Sequence, residues 1–425
     1  MHLDGMLEKL YARRRFGIRP GVDRIAALLD RLGNPESRFR TIHVVGTNGK
    51  GSTAAFLSSI LEAAGYCTAL FTSPHLVSFS ERFRVNGREP DPGQLASLLE
   101  QVLSSAPEEA TFFEIVTALA ALTFARERAE VAVLEAGMGG CSDATAALPG
   151  IMTVITPISL DHRDYLGSTL EEIAREKAGI IEADTVAISA AQSATVKVVI
   201  ESRCRAANSR LLRSDADFST GWNSSGRLDY RGIRLNLKEL APGIPGRYQA
   251  ENAALALAAA ETLAGTGFAI TPAAMESGLA AARWPGRMEL IPGSPPLLLD
   301  GAHNPAGAAA LAGALRDYRF RRLLIVVGIM ADKEAAGILA PLAPLAGRWY
   351  CVTPDMERAL PDRELASILA SHGLATRACG SVANGIAAAR AEADEGDLVL
   401  VCGSLFTVGE AKAWLSGRHF TGIRG

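Results

Sequence analysis

Short β-branched and aliphatic runs alternate along the chain with stretches whose apolar residues recur every three to four positions. "TIHVV" at 41–45 reads as a buried strand. Phe56, Leu57, Ile60, Leu61 and Ala64 then mark one face of a helix, with Gly65 as its stop. The runs "CTALFTS", "VAVLEAG", "MTVITPI" and "TVAIS" follow, separated by helical stretches, the alternation that builds a parallel sheet. Between about 205 and 245 the texture changes: "FSTGWNSSGRLDYRGIRLNL" alternates and turns as hairpins do, which predicts a small antiparallel insertion. "WPGRMELIPGSPP" is dense in proline and glycine and reads as an interdomain linker. Beyond it, "PLLLDGAHNP", "RLLIVVG", "RWYCVTP", "LATRACG" and "DLVLVCGS" are strand candidates with helices between them.

The turn after the first strand carries the first chemistry. "VVGTNGKGST" (44–53) departs from the usual P-loop spacing: with Gly49-Lys50 aligned, Val44 stands at the first glycine, Gly51 at the hydroxyl, and Ser52 one place late. A strand, a glycine-rich turn and a helix N-terminus still direct backbone N–H groups and the helix dipole at an anion, and Lys50 adds a mobile positive charge. The fold class expected is therefore α/β: residues 1–291 as a P-loop-type domain with a parallel sheet and a small antiparallel insertion, and residues 292–425 as a Rossmann-like domain.

Ligands bind at strand ends in such sheets, and several ends are polar. Thr72 and Ser73 follow one strand, Glu135 ends another, and Asp161 and His162 lie past a third. Carboxylate, imidazole and hydroxyl beside a phosphate cradle suit a hard divalent cation, Mg²⁺ being the usual companion of nucleotide phosphates. Taken singly, each also suits a helix cap, a core histidine or a turn; joint placement points to a site. In the second domain Asp300 and His303 follow the first strand, Asn304-Pro305 turns into a helix, and Arg287 sits in the linker, where a guanidinium could clamp phosphate. "GSTLEEIAREKAGI" starts a helix with capping-box spacing at Ser168 and Glu171, and Gly179 follows its last turn. By pattern alone, its Lys177 is a solvated lysine near a helix C-terminus.

Composition narrows the setting. The 425 residues are 48% hydrophobic and 21% charged, with a net charge of −3, which gives no reason to expect nucleic-acid or anionic-membrane binding. Six cysteines (67, 141, 204, 351, 379, 402) include no C-x-x-C pair and suit a reducing cytoplasm better than zinc or disulfides. "MHLDGMLEKLYARRR" lacks the apolar core of a secretory signal, and no apolar run reaches spanning length. The expectation is a cytoplasmic monomer with small-molecule partners.

"GTNGKGS", "TSPHL", "ERFRVNG", "TFFEIVTALA", "LEAGMGG", "LDHRDYLGSTLEEIAREKAGI", "LDGAHNP" and "GIMADKE" occur in this order. From about residue 10 to the C-terminus the chain resembles the folylpolyglutamate synthase/dihydrofolate synthase family of ATP-dependent Mur-type amide ligases. The resemblance implies ATP, Mg²⁺, a dihydropteroate or reduced-folate carboxylate activated as an acyl phosphate, and attack by the amine of L-glutamate. It places Asn48, Gly49, Lys50, Gly51 and Ser52 on the triphosphate, and Ser73, Glu135 and His162 on magnesium. Asn252, Arg287, Asp300 and His303 complete the nucleotide site. Phe113, Ser142 and Asp143 fall at the pterin-bearing substrate, Lys50 and His162 among the catalytic groups, and Lys177 at a lysine that the family carbamylates. Where relatives commonly read "GGRLDATN" this chain reads "GGCSDATA", with Cys141 and Ser142 in place of Arg-Leu and Ala146 in place of Asn. A cell-wall Mur ligase with a UDP-linked acceptor is the neighbouring reading, and an extra N-terminal domain would be expected of it where about 40 residues precede the loop. A P-loop phosphotransferase, or a nucleotide-binding regulatory protein with no ligation, is a third, separated from the glutamate-ligase reading by glutamate-dependent ADP release.

Overall fold

The computed structural model describes residues 3–13, 17, 21–418 and 420; Met1, His2, Arg14 and Arg15 of the stretch read against a secretory signal lie outside them. Strands β1 (Arg40–Val45), β2 (Thr68–Phe71), β3 (Phe83–Val85), β4 (Val131–Glu135), β5 (Gly150–Ile155), β6 (Val186–Ser189) and β7 (Arg210–Arg213) form a 7-stranded sheet in the order β3-β2-β4-β1-β5-β6-β7. Pairing is parallel except at β3, an antiparallel edge. Central β1 is buried on both faces because helices cover both: Ile42 and Val44 join one apolar cluster and Val45 another, the latter sharing its face with buried Thr41 and His43. The helix Lys50–Ala63 buries Phe56, Leu57, Ile60 and Leu61 against β1 and the helices Gln249–Ala264 and Pro272–Ala281. Each such side chain contributes roughly 1.5–3 kcal/mol relative to exposure. The opposite face is covered by Pro92–Ser105 and Phe112–Arg126, over which Leu3–Tyr11 and Asp23–Arg31 pack.

The antiparallel insertion is present but starts later than the sequence texture suggested. β8 (Ser219–Trp222), β9 (Leu228–Arg231) and β10 (Asn236–Leu240) form a 3-stranded sheet, whereas β7 completes the main sheet. The second sheet has 6 strands: β11 (Glu289–Ile291), β12 (Leu297–Leu299), β13 (Leu323–Val327), β14 (Ala346–Cys351), β15 (Thr376–Ala378) and β16 (Leu398–Cys402), in the order β11-β12-β16-β13-β14-β15. All the strands read in this half are there. The segment read as a linker adds one more, β11, antiparallel to β12, so this sheet starts before the 291/292 division.

The two halves are packed together. Leu76 and Val77, from the loop after β2, join the core of the second sheet with Leu297, Val326 and Val401. Tyr248 packs against that sheet's other face, and Arg247 Nε donates to both carboxylate oxygens of Asp317 at 2.8 and 2.9 Å. Among the described residues no helix is long and apolar enough to cross a membrane.

Candidate active site between the two sheets

The glycine-rich loop is fixed from two sides. Thr47 N–H donates to Pro157 O at 2.9 Å, and its hydroxyl bonds Ser159 O at 3.1 Å and Ser159 N–H at 3.0 Å, tying the loop to the exit of β5. From the other side the buried helix residues Gln249 and Asn252 reach in: Gln249 Nε2 donates to Ser52 Oγ at 3.3 Å, and Asn252 Oδ1 accepts from Thr53 Oγ1 at 3.3 Å. Two of the glycines are sterically required. A Cβ on Gly49, whose φ is 89°, would sit 2.2 Å from Asn252 Oδ1. A Cβ on Gly51 would sit 2.8 Å from the ring of Trp284. The late position of Ser52 is thereby explained: the linker tryptophan packs where a P-loop hydroxyl would project. Lys50 Nζ arches back to donate to Thr47 O at 3.2 Å, over the concave side of the loop.

Glu135, His162 and Lys177 gather about this lysine. Glu135, at the end of β4, is buried; burial raises its pKa, while Lys50, the Ser73 N–H (3.3 Å) and Arg287 pull it back down. The loop carrying Ser73 leads into Pro74 through a cis peptide bond. His162 sits at φ 50° and ψ 40°, the left-handed region that non-glycine residues visit at a cost. Its pKa is held at about 4 by desolvation, with Lys333, Lys50 and Lys177 adding to the effect and Asp161 opposing it.

Lys177 is not the solvated lysine its local pattern suggested. It is 4% exposed, on the inner face of the helix Leu170–Ala178. Burial, and then repulsion from Lys50, push its pKa down to about 7 against the attraction of Asp143, Asp161 and Glu176. That helix starts one residue later than its expected capping box: Thr169 Oγ1 accepts from Glu172 N–H at 3.2 Å, and Glu172 Oε2 accepts from Thr169 N–H at 3.0 Å. The adjacent Glu176 holds the loop after β4, accepting from the backbone N–H groups of Gly140 (3.3 Å) and Ser142 (3.0 Å), from the Ser142 hydroxyl and from the Cys141 thiol (3.3 Å). Asp143 is buried in the same loop; Oδ2 accepts from Met138 N–H at 2.9 Å, and Oδ1 from Thr145 N–H at 2.9 Å and Thr145 Oγ1 at 2.6 Å. Phe113 lies against Gly137 and Phe71, with ring centroids 5.9 Å apart in the aromatic pair.

The second domain completes the cleft. Buried Asp300 accepts from Met288 N–H (3.0 Å), Ala302 N–H (2.9 Å) and the Tyr248 hydroxyl (3.1 Å); burial raises its pKa against Arg287 and these bonds. His303 Nδ1 faces Gly301 O at 2.9 Å. Asn304 caps the helix Pro305–Ala314 by accepting from Gly307 N–H at 2.8 Å. Its amide also pairs across the cleft with Asn48: Asn48 Nδ2 donates to Asn304 Oδ1 at 3.2 Å, and Asn304 Nδ2 donates to Asn48 Oδ1 at 2.9 Å. A cavity opens beside the loop, lined by Gly51, Ser73, Glu135, Trp284, Arg287 and Leu405 among others.

The sequence-derived residues thus converge from both halves. Gln249, Tyr248, Glu176, Asn304 and Lys333 also occupy the site, although the sequence reading assigned none of them to it. Lys333 was visible as part of "GIMADKE", and Gln249 as a polar position in an alanine-rich helix. Among the described residues no group of three or more His, Cys, Asp or Glu side chains is arranged to hold a metal ion by itself.

A parallel sheet with an anion loop, joined across a cleft to a second α/β sheet, is the architecture of a Mur-type ligase: residues 44–260 match the Mur ligase middle domain and residues 286–405 the Mur ligase glutamate ligase domain. The chain is 34% identical over 418 residues to the dihydrofolate synthase/folylpolyglutamate synthase of Escherichia coli, covering 98% of this chain and 95% of that one. It is 37% identical over 427 residues to a probable bifunctional folylpolyglutamate synthase/dihydropteroate synthase of Halobacterium salinarum, covering 97% of this chain and 51% of the relative, so it spans about half that protein's length. E. coli FolC in complex with DHPP and ADP superposes with a TM-score of 0.91 at 32% identity, over 98% of both chains. The bifunctional folylpolyglutamate synthase/dihydrofolate synthase of Yersinia pestis, complexed with AMPPNP and Mn ion, gives 0.87 at 30% identity, again over 98% of both. The chain belongs to the folylpolyglutamate synthase/dihydrofolate synthase family.

Proposed function

We infer that this protein is an ATP-dependent ligase that joins L-glutamate to dihydropteroate, to reduced folates, or to both. The observation that carries the reading is the convergence, across one cleft, of the glycine-rich loop with Lys50 and the Glu135–His162–Lys177 group from the first domain, and of Asp300 and His303 from the second. The acceptor carboxylate attacks the γ-phosphorus of ATP, the bond to ADP breaks, and an acyl phosphate forms. The glutamate amine then attacks the acyl carbon, the C–N bond forms, phosphate departs and the amine loses a proton.

In this scheme the N–H groups of residues 48–52 cradle the phosphates and Lys50 neutralises charge on the transferring group. Asn252, Arg287, Asp300 and His303 hold the nucleotide from the far side, and Phe113, Ser142 and Asp143 shape the acceptor slot. Ser73, Glu135 and His162 fit a magnesium ion: Glu135 has a single backbone N–H on one oxygen and unused lone pairs on both. The metal, when bound, offsets phosphate charge. Packing of the second domain over the cleft keeps water from the acyl phosphate. With the dividing line moved from 291/292 to just before β11, the residues ahead of it supply the phosphate chemistry in this reading and the remainder closes the cleft.

Lys177 fits a carbamate. A lysine held near pH 7 has a large neutral fraction, and the neutral amine is the form that attacks CO₂; the N–C bond forms and a proton is released. The product is an anionic oxygen group, which relieves the repulsion between Lys177 and Lys50.

The test is ATP turnover with dihydropteroate or tetrahydrofolate, each with and without L-glutamate. Glutamate-dependent ADP release with either acceptor is the expected result. Stimulation by a UDP-linked muramyl acceptor and by neither pteridine would move the chain to the cell-wall branch.

A further inference from the structure

Lys333, which follows β13 in the second domain, sends its ammonium into the first and donates to Asp161 Oδ1 at 2.7 Å. The side chains are 19% and 8% exposed, so the pair is shielded from solvent and salt. The same Asp161 Oδ1 accepts the backbone N–H of His162 at 2.9 Å, while Oδ2 accepts from Asn304 Nδ2 at 3.4 Å and lies 4.0 Å from Nε2 of both His162 and His303. A histidine in the left-handed region persists where its surroundings over-determine it. Here the determining group is a carboxylate whose anchors, Lys333 and Asn304, both come from the other domain. Asn304 in turn grips Asn48 in the phosphate loop.

We propose that Lys333 is a positioning residue: by pairing with Asp161 it makes the backbone geometry of His162 depend on docking of the second domain, so that the first domain is competent for chemistry only when covered. The lysine touches no reacting atom in this account and acts through Asp161. A plain interdomain salt bridge would alter how tightly the domains hold, whereas this arrangement alters the conformation of one loop.

The kinetic arm rests on the ligase reading; the second arm does not. In the full-length chain, Lys333→Met is expected to lower kcat about 100-fold while KM for ATP stays within about threefold, and Lys333→Arg to recover to within about tenfold of wild type. Adding Lys333→Met to Asp161→Asn should cost less than about a further twofold, because both act through one carboxylate. The second arm is amide hydrogen exchange over residues 159–167 in metal- and nucleotide-free protein, expected to quicken in Lys333→Met while β1 and β5 keep their protection. Lys333→Gln replaces Lys333→Met if the latter aggregates. Wild-type kcat in the charge-removing variant, losses that multiply in the double variant, or unaltered exchange over 159–167 would each overturn the proposal. Absence of glutamate-dependent turnover in the wild type would remove the ligase reading and leave the exchange result to decide the coupling.

Discussion

Lys177 is the residue whose behaviour its neighbours change most. In the unfolded chain a lysine keeps its proton to roughly pH 10.4, whereas the folded site holds it only to about 7. Between those values the unfolded state carries the extra proton, so stability rises with pH across that window and is flat below it. The slope from this one group approaches about 1.4 kcal/mol per pH unit. Urea unfolding in CO₂-free buffer between pH 7 and 9 should show that slope in the wild type and lose it in Lys177→Met. Bicarbonate should raise wild-type stability at a given pH, because the carbamate forms only in the folded site, and should leave Lys177→Met unchanged. Lys177→Ala should lose most ligation, with short-chain carboxylates restoring part of it. Lys50→Ala should cost on the order of 100-fold or more in kcat, since a charge aimed at the transition state is lost. Its far-UV circular dichroism should match wild type, because the ammonium bonds a single loop carbonyl and fills no core.

At the level of elements, the hairpin sheet depends on one side chain. Glu261, 5% exposed on the helix Gln249–Ala264, accepts from the Tyr230 hydroxyl (2.9 Å) and from the N–H groups of Ile233 (2.9 Å), Arg234 and Leu235 (3.1 Å). Glu261→Ala leaves these donors unsatisfied, which should cost about 3 kcal/mol or more in unfolding free energy without altering kcat of the folded fraction. Such a cap cannot be read from sequence, because helix and turn are about 27 residues apart and neither has an unusual composition. What could be read was local: the apolar runs of both sheets, the glycine loop, and the polar strand ends carrying Ser73, Glu135, His162, Asp300 and His303. Boundaries and partners were harder. Thr169 displaced Ser168 as the cap because Glu172, not Glu171, reaches back. β7 and β11 were missed because a short edge strand in a polar or proline-rich stretch has too few apolar positions to set a period. The burial of Lys177 is tertiary, since the loop after β4 and the loop after β5 close over it.

For the whole molecule, the interface between the sheets is part of the core rather than a late addition. Leu76 and Val77 complete the second domain's apolar cluster, and Tyr248 holds Asp300 in place. A fragment ending at residue 285 is expected to retain the parallel sheet by circular dichroism, to bind the dye ANS at its uncovered face, and to show no ligation. Glutamate-dependent turnover by that fragment at the full-length rate would show the second domain to be dispensable.

Trp284 gives this arrangement an optical consequence. Its half-buried indole rests on Gly51 beneath the phosphate loop, with the Arg84 guanidinium 6.0 Å from the ring centroid. Of the 4 tryptophans in the chain it is the one that lines the cleft. Charge arriving at the loop changes the field across that ring, and any shift of the linker changes its contact with solvent. Titration with ADP should therefore move the intrinsic emission of the unlabelled protein, and Trp284→Phe should abolish the change while the other three tryptophans continue to emit. The linker carries its own fluorophore.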